Sequence, residues 1–73
     1  MKKRDTGFLE GIGQRIKKIR GDKGLTQYEL AALCDFEKAN MSRIESGQAN
    51  STILTLLKIS KALEVHIGEL MKD

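Results

Sequence analysis

Apolar residues recur every three to four positions along almost the whole chain, and this spacing restricts the fold to packed helices. In the first such segment Ile12, Ile16 and Ile19 occupy positions i, i+4 and i+7, so they share one face of a helix. The chain contains no proline to interrupt a helix, and β-branched and aromatic residues nowhere alternate with period two. We therefore expect an all-α protein.

Start and stop signals divide the chain into five short helices. Thr26-Gln27-Tyr28-Glu29 forms a capping box, Thr52 is a good N-cap, and Gly24 and Gly47 end the segments before them. The predicted helices run from about Leu9 to Lys23, Thr26 to Asp35, Glu37 to Ser46, Thr52 to Leu63 and His66 to Lys72. We expect their inward residues to include Leu30, Ala31, Cys34, Ile53, Leu56, Leu57 and Ile59. Short connections favour a compact bundle.

A chain of 73 residues forms one domain with one core. Such a domain buries only about 60% of its unfolded surface, so oligomerisation is an expected source of stability. A single cysteine excludes an intrachain disulfide, and no Cys/His cluster is available for zinc. We expect no metal and no cofactor.

The sequence gives no sign of export or of a membrane partner. Asp5-Thr6-Gly7 follows the basic start where a signal peptide needs an apolar run, and no segment approaches the roughly 18 apolar residues of a spanning helix. We expect a cytoplasmic protein.

The positive charge is concentrated near the start of the chain. Residues 1–23 carry a balance of +5 and residues 24–73 a balance of −2. A basic segment can supply phosphate attraction, although a solvated helix face has the same composition. We assign residues 1–8 to a flexible basic N-terminal arm and residues 9–73 to the domain. Lys2-Lys3-Arg4 either follows a DNA backbone or is simply disordered.

The third predicted helix has two contrasting faces. On a helical wheel one face holds small residues and two cations: Lys38, Ala39, Ser42, Arg43 and Ser46. The opposite face is apolar and centres on Met41 and Ile44. Arg43 and Lys38 can donate to guanine, Ala39 can pack on a thymine methyl, and Ser42 can donate or accept. The face suits the major groove of DNA, and an ordinary solvated face remains the alternative.

Three segments together resemble the Cro and phage-repressor family of helix-turn-helix proteins. These segments are Leu25-Thr26-Gln27-Tyr28-Glu29-Leu30-Ala31, Met41-Ser42-Arg43-Ile44-Glu45-Ser46-Gly47 and residues 55–65, and the likeness covers about residues 9–71. The resemblance implies a compact five-helix, lambda-repressor-like DNA-binding domain whose helix-turn-helix spans about residues 26–46. It also implies double-stranded DNA as the partner and frequent pairing through the last helices.

The resemblance implies a role for each matching position. Lys38, Ala39 and Arg43 match base-contacting positions, and Ser42 is a neighbour that reaches bases or backbone. The positions implied for DNA phosphate and backbone contact are Gln27, Asn40, Ser46, Gln48 and Asn50. Arg20 and Glu45 match an ion pair between the first and third helices. Three residues depart from the family pattern, namely Asp35 for a glycine, Glu37 for a Ser/Thr cap and Ser51 for a proline.

Cys34 and His66 are the only residues of their types, so a nucleophilic pair is formally possible. Cys34 matches an apolar position, however, and His66 stands where a helix cap belongs. There is also no glycine-rich phosphate loop, and we expect no enzyme. An apolar patch formed by Tyr28, Leu33, Leu70 and Met71 is either a dimer surface or partly buried within one subunit.

We predict a transcriptional regulator, a repressor or controller that binds an inverted-repeat operator as a homodimer. Its apolar end around Ile67, Leu70 and Met71 is the expected contact between subunits. The chain has no room for a ligand-sensing module, so we expect no small-molecule ligand. The alternatives are an antitoxin, which would also bind a toxin, and a protein-interaction module that has lost DNA binding.

Overall fold

Four α-helices and one 3-10 turn make up the part of the chain that the structure describes. This computed structural model describes residues 3–49 and 51–71, the side chains of residues 3–6 excepted. The helices are α1 (Lys3–Asp22), α2 (Gln27–Cys34), α3 (Lys38–Glu45) and α4 (Ile53–Leu63), and the 3-10 turn spans Ile67–Glu69. No strand occurs within these ranges, so the predicted all-α class is confirmed.

The predicted count of five helices is not confirmed, because the last segment forms only a three-residue 3-10 turn. Gly68 lies in the middle of this turn and weakens any longer helix. His66 precedes the turn as its N-cap but makes no side-chain capping hydrogen bond. Lys72, the predicted end of the fifth helix, lies outside the described residues.

Helix α1 begins at Lys3, six residues before the predicted start at Leu9. The segment before Leu9 has no proline, so nothing interrupts the helical hydrogen bonds there. Residues 3–8 of the predicted flexible arm are therefore helical, while Met1 and Lys2 lie outside the described residues. The division of the chain at residue 8 stays a prediction.

The ends of α2 and α4 follow from local capping chemistry. Thr26 forms the predicted capping box: its hydroxyl accepts from the Glu29 amide at 3.0 Å, and its own amide donates to the Glu29 carboxylate at 2.8 Å. Thr52 caps α4 by accepting from the Thr55 amide at 3.1 Å. Both caps satisfy amides that lack a partner within the helix.

The core lies where α1, α2, α3 and α4 meet. Its buried apolar residues are Ile12, Ile16, Leu30, Ala31, Cys34, Met41, Ile44, Leu56, Ile59, Leu63 and Leu70. The prediction that Ile53 faces inward is wrong, because its side chain is 59% exposed. Helical periodicity assigns Ile53 to the buried face, but this residue begins α4 and the core does not extend to it.

Candidate nucleic-acid interface

A tight three-residue turn fixes α3 against α2. Asp35 adopts a left-handed conformation with φ of 59° and ends α2. The amides of Asp35 and Phe36 donate to the carbonyls of Ala32 and Ala31 at 3.1 and 2.8 Å. These two bonds close the helix end, so the direction in which α3 leaves the turn is defined by the backbone.

Helix α3 has one buried face and one exposed face. Met41, Ile44 and Glu45 are buried between α3 and its neighbours. The exposed residues are Lys38, Ala39, Asn40, Ser42 and Arg43, and Ser46 follows them at the C-cap. The structure thus brings together the four residues predicted to contact bases on the exposed side of α3, with the cations Lys38 and Arg43 separated by small side chains.

The residues predicted for backbone contact are more dispersed. Asn40 lines a small cleft with Phe36, Ile44 and Thr55, so it lies toward α4. The Ser46 hydroxyl donates to the Arg43 carbonyl at 3.1 Å, and the Gln48 amide donates to the same carbonyl at 2.8 Å. Asn50 lies outside the described residues.

Glu45 joins three helices through its carboxylate. Arg20 of α1 donates from Nε to Oε2 at 2.7 Å and from Nη2 to Oε1 at 3.0 Å. Gln27 of α2 donates from Nε2 to Oε1, also at 3.0 Å. The side chains of Arg20 and Glu45 are only 14% and 3% exposed. This bidentate ion pair is therefore nearly shielded from solvent, and it ties α3 to α1 and α2 at once.

Tyr28 is a neighbour of α3 for which the sequence pattern predicted no contact with DNA. It lines a shallow cleft with Phe36, Lys38 and Ala39, and its side chain is 67% exposed. Helical spacing within α2 shows that Tyr28 points outward, but not that it meets the start of α3. Only the angle between the two helices brings it there.

The surroundings of Cys34 and His66 do not favour a nucleophilic Cys–His pair. Cys34 is buried, and its Sγ donates to the Lys58 carbonyl at 3.8 Å. Burial raises the pKa of the Cys34 thiol, and the charge of Lys58 opposes this rise only in part. His66 is exposed. A raised pKa disfavours the reactive thiolate.

Ranges 3–49 and 51–71 contain neither a cluster of metal-binding side chains nor a membrane-spanning helix. No group of three or more His, Cys, Asp or Glu side chains there is arranged to hold a metal ion. No helix in the same ranges is long and apolar enough to cross a membrane.

A family model described as helix-turn-helix matches residues 16–70. The chain belongs to the helix-turn-helix family. The match includes the two capped helices, the left-handed turn and the exposed face of α3 described above. The predicted membership in the Cro and phage-repressor type of this family is thereby confirmed.

The relatives of this chain include control proteins and transcriptional regulators. Control protein C.MunI of a Mycoplasma species is 37% identical over 63 residues, which cover 85% of each chain. The restriction-modification controller protein C.AhdI of Aeromonas hydrophila has a similar structure, with a TM-score of 0.83 and 35% identity over 85% of this chain and 94% of that one. The structure of SinR, a master regulator for biofilm formation, was solved in complex with DNA and is also similar, with a TM-score of 0.78. Its sequence is 40% identical, and the match covers 84% of this chain and 98% of the SinR chain. The predicted class, a helix-turn-helix regulator, is confirmed at the level of the family.

Proposed function

We propose that this protein is a transcriptional regulator that binds double-stranded DNA with α3 in the major groove. The observation that carries the proposal is the exposed face of α3, on which Lys38 and Arg43 flank the small side chains of Ala39 and Ser42. The groove is about 12 Å wide and admits one helix. Small side chains let the helix backbone approach the base edges closely, and the two cations reach past them. We place this activity in the cytoplasm.

Base recognition follows from the donors and apolar groups on that face. Arg43 carries a planar guanidinium that can donate two parallel hydrogen bonds to O6 and N7 of guanine, and Lys38 donates to the same acceptors. Ala39 provides the apolar contact for a thymine methyl. Ser42 can act as donor or acceptor, so it adapts to more than one base.

Phosphate contacts then hold α3 in register. The amide of Gln27 carries two N–H groups, of which one is used by Glu45, so the second remains for a phosphate oxygen. Asn40, Ser46, Gln48 and Asn50 are the other proposed backbone contacts. Such contacts position a protein on the duplex without reading its sequence.

We further propose that two subunits bind an inverted repeat. One α3 presents four base-facing side chains, so it reads one short half-site. Each base pair contributes about 1–3 kcal/mol of discrimination, and the sum over one half-site is too little to select one site in a genome. Two half-sites separated by about 34 Å, one turn of duplex, double this discrimination. The chain would act as a repressor or a controller, and its coverage of 85% of control protein C.MunI, against 57% of SinR, supports the controller.

The decisive experiment is selection of bound duplexes from random DNA. The purified full chain should enrich an inverted repeat, and protection of that site should cover both halves. Affinity should fall steeply with salt, because each phosphate contact releases counterions. Failure to enrich any sequence, together with capture of an unrelated protein on the α3 face, would favour the interaction module without DNA binding. Enrichment of a single asymmetric half-site would rule out the dimer but keep the DNA-binding role.

A further inference from the structure

Gly13 lies where α1 crosses the end of α3. A Cβ atom at this position would overlap the carbonyl oxygen of Glu45 and lie 2.6 Å from both the Glu45 carbonyl carbon and the Ile44 carbonyl oxygen. Real Cβ atoms essentially never come closer than 3.0 Å to such neighbours. These neighbours are backbone atoms, so no side-chain rotation can relieve the contact. Any residue other than glycine must push the two helices apart.

Gly47 makes the reciprocal contact from the other side. It follows the C-cap of α3, and a Cβ atom there would lie 2.7 Å from both the Cα and the amide nitrogen of Glu10 in α1. Its φ of 77° is also in the left-handed region that favours glycine. Glu10 and Gly13 are three residues apart on α1, so the two contacts lie on adjacent turns of one helix face.

We propose that Gly13 and Gly47 are positioning residues that set how α3 is presented to DNA. This inference rests on the proposed function, because it assigns a role to the α1–α3 contact in base recognition. The contact lies at the C-terminal end of α3, within one turn of Arg43. A Cβ at Gly13 would require the 2.6 Å separations to grow to 3.0 Å or more. The Glu45 carbonyl oxygen lies closer than these two atoms, so relieving its overlap requires a larger displacement than they do. Binding constellations must be held within about 0.5 Å of their productive geometry, and a displacement of this size reaches that tolerance.

The hydrogen bonds of Glu45 make the same end of α3 sensitive to displacement. Arg20 and Gln27 hold its carboxylate from two helices at 2.7 to 3.0 Å. Moving the backbone of Glu45 away from α1 therefore stretches the bonds to Arg20 or tilts α3 about them. Either response moves the side chain of Arg43, which precedes Glu45 by two residues.

The first test compares Gly13→Ala with Gly21→Ala. Both substitutions fall within α1 and replace a glycine by the better helix former alanine, but a Cβ at Gly21 has no atom within 4 Å. We expect Gly13→Ala to lose about tenfold in affinity for the selected site and less than about threefold for random DNA of equal length. Gly21→Ala should stay within about twofold of the parent on both. Affinities are expressed per folded molecule, with the folded fraction taken from circular dichroism.

The second test uses two glycines of equal backbone conformation and decides the question if Gly13→Ala does not fold. Gly24 and Gly47 have φ values of 74° and 77°, but only Gly47 is crowded by a neighbouring helix. Asparagine tolerates this region better than most residues, so Gly47→Asn and Gly24→Asn share the same backbone strain. We expect only Gly47→Asn to lose affinity for the selected site.

Backbone amide spectra separate this inference from the proposed function. In the absence of DNA, Gly13→Ala should shift the amide resonances of Lys38–Glu45, whereas Gly21→Ala should not. If the parent protein selects no site, the proposed function fails, but these spectra still test the positioning. The inference is overturned if folded Gly13→Ala or Gly47→Asn leaves the amides of α3 unshifted. It is equally overturned if either variant keeps the parental preference for the selected site.

Discussion

At the scale of single residues, Glu45 is a carboxylate surrounded by donors and nearly inaccessible to water. Replacing it by Gln removes the charge that compensates Arg20 while keeping the shape of the side chain. Loss of one partner from a shielded ion pair leaves the other charge uncompensated, so we expect Glu45→Gln to lower the free energy of unfolding by about 3 kcal/mol. Chemical denaturation followed by circular dichroism measures this change.

Lys18 and Asp22 provide the matched control for Glu45. They form an ion pair at 3.0 Å, but their side chains are 77% and 64% exposed. Asp22→Asn should therefore change the stability by no more than about 1 kcal/mol. A double-mutant cycle between Arg20 and Glu45 that yields no coupling energy would contradict the structural role given to the buried pair.

Arg43 is the residue on which base recognition depends most in the proposed function. Arg43→Ala should leave the unfolding transition nearly unchanged, because the side chain is exposed. Binding to the selected site should weaken by about 1–3 kcal/mol, the value of a bidentate guanine contact. The control is Lys61→Ala, which removes an exposed cation on α4 rather than on α3. It should weaken binding to selected and to random DNA slightly and equally. Equal losses on selected and random DNA for Arg43→Ala would show a phosphate contact instead.

At the scale of elements, α3 is the only one of α2, α3 and α4 that begins without a side-chain cap. Glu37 occupies its N-cap position with φ of −73° and ψ of 147° but makes no capping hydrogen bond. The backbone geometry matches that of Thr26 and Thr52, which do cap their helices. A serine at this position would share the Asn40 amide, which already donates to the carbonyl of residue 37 at 3.0 Å, so we expect a weaker cap than at Thr26 or Thr52.

We predict that Glu37→Ser stabilises the protein by about 0.5 kcal/mol and tightens DNA binding. The free energy gained from the cap is only slightly larger than the free energy lost with the attraction between Glu37 and the helix dipole, so the gain in stability is small. The affinity gain should be similar for selected and random DNA, since it comes from removing a negative charge beside the phosphates. Glu37→Gln separates the effects, because it removes the charge without adding a cap. A gain confined to the selected site would contradict this explanation.

Local chemistry explains which elements the sequence could predict. The capping box of Thr26 and the cap of Thr52 involve residues three positions apart, so the pattern alone places both helix starts. The exposed face of α3 likewise follows from periodicity within one helix. The exposure of Ile53 does not, because periodicity assigns a face but not where the core ends. The sequence predicts too long a helix around Gly68, because the apolar spacing continues past the point where helical hydrogen bonds stop.

The features of the site that the sequence alone does not predict are contacts between separate helices. The family resemblance supplied the Arg20–Glu45 pair, but the hydrogen bond from Gln27 to Glu45 depends on the angles among three helices. The crowding of Gly13 against Glu45 has the same origin, and nothing near Gly13 in the sequence distinguishes it from Gly11 or Gly21. Distances between separate elements are set by packing of the whole core.

At the scale of the whole molecule, the exposed apolar residues are spread over several elements. The large exposed ones among the described residues are Phe8, Tyr28, Leu33, Ile53, Leu54 and Met71. Leu70, which was predicted to contact a second subunit, is instead fully buried within its own core. The predicted contact around Ile67, Leu70 and Met71 is therefore wrong at its central residue, because the segment that contains the 3-10 turn packs against α4 and buries Leu70.

A dimer in solution should reveal itself through the concentration dependence of unfolding. If folding and association are coupled, a rise of about a hundredfold in protein concentration adds about 2.7 kcal/mol per dimer, and the unfolding temperature increases. Sedimentation equilibrium over the same range should show the mass of two chains. If the unfolding temperature does not depend on concentration and the mass is that of one chain, the protein is a monomer in solution and any dimer forms only on DNA.

The separation of the two faces of α3 bears on how proteins of this kind diversify. Met41, Ile44 and Glu45 hold the fold together, while the side chains of Lys38, Ala39 and Arg43 lie on its surface. After a gene duplication, one copy can exchange these surface residues and acquire a new target while its stability stays that of the parent. Two paralogues can then control different genes in one cell without crosstalk, and both retain the ancestral core.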